Sequence, residues 1–231
     1  MRGVLPWAPL IGLALGVLAA AVGWAGHRGA GPFVGAVLAV AALAALTRGL
    51  HLDGLADTAD GLGPLGNRSR AREVMKAGHV GPFGVVALVL VLLLQVACLT
   101  RLLALDATWS AVPAAVVGAR VAMARTGLPG VPAMEGSSLG RAVAGTVSLP
   151  WLAGSSLLAL LLAGALSLAL GPGGAAAAVG SGVAVALGWL AAEVLFRRAR
   201  HRLGGVNGDV IGAMGEVATT VTLLGAAVAL G

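Results

Sequence analysis

Charge is what this sequence has least of: Asp, Glu, Lys and Arg make up 10% of its 231 residues, against 58% hydrophobic. A soluble domain carries about 25% charged residues. So apolar a chain cannot cover a surface facing water, and lipid must be its main solvent. Cysteine is nearly absent. Cys98 stands alone inside the apolar run 90–99, which excludes an internal disulfide and any Cys/His zinc spacing and reads as a small buried residue. No internal repeat is visible, and no segment is long enough for a separate soluble domain. The chain reads as one integral membrane domain, residues 1–231. Small residues are plentiful instead. The 37 glycines and many alanines let helix backbones approach closely where lipid supplies no hydrophobic drive between helices.

Apolar runs lie at about 5–25, 31–48, 83–105, 109–127, 146–170, 174–196 and 210–230. Each is near the roughly 20 residues a helix needs to cross the hydrocarbon. The expectation is an all-α bundle of about seven transmembrane helices. The first run follows Arg2 and resembles a signal peptide, but its length suits a retained span. The net charge is +6, and the basic residues sit in short segments between apolar runs. That is the pattern of membrane orientation, not of nucleic-acid binding. With seven spans, Arg48, Arg68, Arg70, Arg72 and Lys76 of one segment share a side with Arg125 and Arg141, with Arg197, Arg198, Arg200 and Arg202, and with Arg2. Arg28 is alone on the other side. The positive-inside rule makes the crowded side cytoplasmic. The N-terminus is then inside, in a bacterial inner membrane, and the segment 49–82 is a cytoplasmic loop.

Only nine acids are present, so their placement is informative. Asp53, Asp57 and Asp60 are spaced four and then three residues apart, which places all three on one helical face. Three like charges on one face repel unless a cation lies between them. Mg²⁺ prefers carboxylate oxygens and usually shares them with substrate phosphates, so this spacing predicts a metal–diphosphate site. The plainer alternative is a solvated acidic turn capped by Asp53. Gly54 and Gly61 flank the triad and would let a phosphate approach the backbone. Asp209 opens the last span, and Glu216 lies seven residues on, on the same face. A carboxylate inside a span is costly, so the pair reads as a second metal-facing cluster. Arg120, deep in the fourth span, is expected to pair with an acid or a phosphate. Arg125, Arg101 and Glu193 are expected to pair or snorkel near helix ends. Residues 67–76 can form a basic helix along the membrane surface, meeting lipid or the phosphates. His79 is either interfacial or a substrate contact.

The stretch Gly49-Leu50-His51-Leu52-Asp53-Gly54-Leu55-Ala56-Asp57-Thr58-Ala59-Asp60-Gly61 closely resembles the signature of the cobalamin synthase family (adenosylcobinamide-GDP ribazoletransferase). Val74-Met75-Lys76 followed by His79-Val80-Gly81-Pro82-Phe83-Gly84 resembles that family's next block, and Gly204–Ala213 its C-terminal Gly-Asp block. Ala77-Gly78 and Val206-Asn207 depart from the pattern, and 128–140 matches weakly. The resemblance implies a late step of vitamin B12 assembly. A ribose hydroxyl of α-ribazole, or of its 5′-phosphate, attacks the cobinamide-side phosphorus of adenosylcobinamide-GDP, and GMP leaves. It also implies Mg²⁺ as cofactor. The metal ligands would be Asp53, Asp57, Asp60, Asp209 and Glu216, with Asp60 or Asp57 as catalytic base. His51, Arg68, Lys76, His79, Arg120 and Asn207 would be substrate contacts. The oligomeric state stays open, a homo-oligomer included. Among rivals, a CDP-alcohol phosphotransferase would carry Arg where Asp57 stands, and an ion-coupled transporter would show two related halves.

Overall fold

The computed structural model describes residues 3–63, 68–75 and 79–230; Arg2 and Lys76 fall outside them. Among the described residues the architecture is all-helical, with one isolated bridge between Ala133 and Val206. Among the described residues, five helices are long and apolar enough to cross a membrane. They are α1 (Ala8–Ala30, extended by a 3-10 turn from Leu5), α5 (Pro82–Ala104), α8 (Leu149–Leu170), α9 (Gly174–Leu203) and α10 (Gly208–Ala229). The helix α2 (Pro32–Leu46) is 15 residues long and is followed, after a bend of 88°, by α3 (Leu50–Leu62). The helix α6 (Thr108–Ala124) has 17 residues. Length and apolarity thus support five spans, or six with the bent pair, where the apolar runs predict about seven.

Burial explains why α6 need not look like a lipid-facing helix. Every residue except Trp109 is buried, because α1, α8, α9 and α10 surround it. Its neighbour α1 presents a stripe of Gly12, Gly16, Ala19, Ala20 and Gly23, the small-residue packing that lets membrane helices touch. The outer helices turn bulky side chains outward: Val86, Leu90 and Leu93 on α5, Leu158 and Leu161 on α8, Leu190 and Val194 on α9. These are the surfaces that lipid would cover.

Two basic segments differ from the loops expected of them. Residues 197–202 form the last turns of α9, a 30-residue helix about 45 Å long. That exceeds a hydrocarbon core of roughly 30 Å, so hydropathy marks only its apolar portion. Residues 49–82 contain α3 and the short helix α4 (Arg68–Met75). The turn into α3 uses two left-handed residues, Arg48 (φ 55°) and Gly49 (φ 71°). Contacts gather one end of the bundle around α3. It packs on α10 and α5, while α4 docks on the end of α9 through Arg68 Nε to the His201 carbonyl (3.2 Å) and Arg72 Nε to the Leu203 carbonyl (2.9 Å).

Candidate active site

The acidic motif splits between two environments. Asp53, in the first turn of α3, is exposed, Asp57 one turn on is half-buried, and Asp209, in the first turn of α10, is half-buried. Their proximity is imposed by Gly54. A Cβ there would lie 2.6 Å from the Asp209 carbonyl oxygen, so only glycine lets α3 and α10 close on each other. The close approach serves helix packing, where the sequence suggested phosphate access. Burial, followed by the charges of Asp53, Asp209 and Asp60, pushes the Asp57 carboxyl up to about 6. None of Asp53, Asp57 and Asp209 forms an ion pair among the described residues.

Asp60 lies in the same stripe but faces a different partner. It is 3% exposed, and its two oxygens accept the backbone N–H groups of Gly81 (2.6 Å) and Gly84 (2.9 Å). Helix α5 begins Gly81-Pro82 and has no side chain of its own for a cap. Asp60 supplies one from α3, with its charge at the favourable end of the helix dipole.

Glu216 does not join the acids near the surface. It sits about two turns further along α10 than Asp209, in a polar cluster buried among α3, α5, α6 and α10. Gln95 Nε2 donates to Glu216 (2.9 Å) and to Thr220 Oγ1 (3.0 Å). His51 Nδ1 lies 3.8 Å from Glu216, and its Nε2 is 2.9 Å from Arg120 Nη1. Arginine can only donate, so His51 Nε2 accepts and the proton rests on Nδ1, toward Glu216. Burial and the Arg120 charge lower the imidazole to about 4, which keeps it neutral. The buried Arg120 Nε has no hydrogen-bond partner among the described residues. His51 and Arg120, expected as substrate contacts, are thus brought to each other and to Glu216. Gln95 is not among the sequence candidates, although an amide within the apolar run 83–105 is the available signal.

The remaining candidates are placed as follows. Asn207 caps α10, accepting from Val210 N (3.0 Å) and donating to Asp209. Arg68 and Arg72 hold the end of α9, and Arg72 also reaches Glu135 (2.7 Å). His79 is exposed just ahead of α5, and Lys76 lies outside the described residues. Glu193 pairs with Arg125 (3.2 Å) and Arg197 (2.8 Å), and Arg101 donates to the Ala227 carbonyl (3.0 Å).

Among the described residues no three His, Cys, Asp or Glu side chains stand close enough to hold a metal ion jointly. The donor set nonetheless fits Mg²⁺, which is commonly bound by one or two carboxylates and completed by water and substrate phosphates. Three carboxylates with no ion pair among the described residues, where burial and then mutual repulsion raise Asp57, are that chemistry.

The helical bundle, with three carboxylates that form no ion pair among the described residues, defines a multi-pass membrane protein with an acidic site at one end. A family model for cobalamin-5-phosphate synthase matches residues 1–227, and the chain belongs to that family. Relatives carrying the name adenosylcobinamide-GDP ribazoletransferase include one from Frankia casuarinae, 38% identical over 94% of this chain and 82% of the relative. One from Nocardioides sp. is 39% identical over 94% and 83%, and one from Roseiflexus sp. 39% over 93% and 75%. No solved structure matches.

Proposed function

We propose that this chain transfers the phosphocobinamide part of adenosylcobinamide-GDP to α-ribazole or its 5′-phosphate, releasing GMP and forming adenosylcobalamin or its phosphate. The observation that carries the reading is the trio Asp53, Asp57 and Asp209, drawn together without an ion pair among the described residues, in a chain of this family. Phosphoryl transfer depends mainly on positioning and charge neutralisation. Asp53 and Asp209 would hold Mg²⁺, which would neutralise the diphosphate as GMP departs. Asp57, close to both, takes the proton of the attacking ribose hydroxyl. Asp60 stays on the amides of α5 and sets the angle of α3. The Arg120–His51–Glu216–Gln95 cluster fixes α3 from beneath.

The site faces the cytoplasm in this reading. Helices α1, α5, α8 and α10 all begin at the acidic end. This is supported by Gly12 against Arg120 near the end of α6, by Val147 N bonded to the Gly127 carbonyl, and by Asp60 at the start of α5. With helices α2, α6 and α9 returning to it, this reading has seven crossings, two of which, α2 and α6, are shorter than the five helices that length and apolarity mark as spans. Arg48, Arg68, Arg72, Arg125 and Arg197–Arg202 collect at that end, the arrangement of a cytoplasmic face.

The test is purified protein in detergent with adenosylcobinamide-GDP, α-ribazole and Mg²⁺, followed by chromatography of GMP. The expected result is GMP and adenosylcobalamin in equal amounts, lost on chelation. An absence of both in folded protein would refute the assignment.

A further inference from the structure

The segment 131–139 builds a wall beside Asp209. Val206 N donates to the Pro132 carbonyl (3.0 Å), and Met134 N to the Val206 carbonyl (2.8 Å). Gly205 lies so close that a Cβ would be 2.6 Å from Met134 N. This short pairing locks the segment in register with Asn207-Gly208-Asp209. Ser137 then caps the short helix α7 (Ser138–Val143) by accepting from Gly140 N (2.9 Å). Between the segment and Asp209 lies a cavity of about 280 Å³, lined by Met75, Met134, Leu139, Ser138, Asn207 and Asp209 among others.

Its lining is asymmetric. Met75 and Met134 are 5% and 4% exposed and form an apolar floor, while Leu139 at 44% forms the rim. Methionine thioethers are polarizable and adapt well to aromatic rings. The carboxylate of Asp209 and the amide of Asn207 stand at one side. Glu135, the other charged group of the lining, is held by Arg72. The volume is at the lower edge of small-molecule sites, which run from roughly 300 to 1,000 Å³. A corrinoid ring system cannot enter. A single fused aromatic base can.

We infer that this cavity is the acceptor subsite: Met75, Met134 and Leu139 hold the apolar aromatic base of a nucleoside, and its ribose reaches toward Asp209. The inference rests on the proposed function and names where one of its two substrates sits. A guanine ring, whose edge needs several hydrogen-bond partners, finds none on the methionine floor.

The test separates the two substrates by their KM values. Leu139→Trp fills the rim at an exposed position, and Met134→Ala deepens the floor. The KM for α-ribazole should rise about tenfold in Leu139→Trp, the scale on which pocket shape discriminates, while the KM for adenosylcobinamide-GDP stays within twofold. Met134→Ala should change the preference between α-ribazole and a nucleoside with a larger apolar base. A rise in donor KM with acceptor KM unchanged, or no change in either, overturns the inference. If the wild type releases no GMP, the proposed function fails and α-ribazole binding by equilibrium dialysis judges the cavity alone. Binding that is weakened by Leu139→Trp supports the subsite, and binding equal in both proteins, or none in the wild type, removes it.

Discussion

Neutralising Asp57 should make the metal-free protein more stable while it disables turnover. The carboxyl of Asp57 is raised from 3.8 to about 6 by burial and then by Asp53, Asp209 and Asp60. Its ionised form is therefore penalised in the folded state. Below pH 3.8 the group is protonated whether folded or unfolded, and there is no penalty. The penalty grows as pH rises, and it is complete above about 6. At 1.36 kcal/mol per pKa unit, the full difference is about 3 kcal/mol. Asp57 is only half-buried, so screening by solvent reduces this to about 1 kcal/mol. For a chain of this size that is a Tm gain of about 2–4 °C. The assay is thermal unfolding of wild type and Asp57→Asn in detergent with EDTA, followed by tryptophan fluorescence. The gain should be full at pH 8 and vanish as pH falls through 6 toward 4. GMP release by the same variant should drop about 100-fold or more, the range of a lost general base. A variant that melts at or below the wild-type temperature at pH 8 would refute the penalty that burial and the neighbouring carboxylates place on ionised Asp57.

Substitutions at Gly54, Gln95 and Asp60, with Asp53 as the comparison, probe the scaffold. Gly54→Ala places a methyl against the Asp209 carbonyl and should cost about 1–3 kcal/mol, with turnover falling further than stability, as kinetics at a permissive temperature would show. Gln95→Leu removes the donor to Glu216 and Thr220. A buried acceptor left unpaired costs about 1–3 kcal/mol, measurable as a lower Tm with Gln95→Asn intermediate. Asp60→Ala strips the cap from α5 and should lower stability by about 0.5–2 kcal/mol, whereas Asp53→Ala should not lower it.

Much of this arrangement was legible in the spacing of a few charges. The triad at 53, 57 and 60 does form one stripe of α3, and Asp209 does meet it, because helical periodicity and a carboxylate at a span's start are local signals. The partners of each acid were not legible. Asp60 serves α5 because Gly81-Pro82 starts a helix that lacks its own cap, a tertiary fact. Glu216 shares a face with Asp209 in sequence, yet the axial rise along α10 separates them, and Gln95 and His51 claim it instead. The extent of α9 was hidden because Arg197–Arg202 interrupt hydropathy without interrupting the helix.

Whether Asp53 and Asp209 grip a divalent cation is tested most directly by Mn²⁺, read as the loss of its free EPR signal on titration with protein and adenosylcobinamide-GDP. Wild type should take up the ion, Asp53→Asn and Asp209→Asn should release it, and Asp57→Asn should weaken it less than either. Equal uptake by wild type and the Asp53→Asn, Asp209→Asn double variant would contradict a metal held at this end of the bundle.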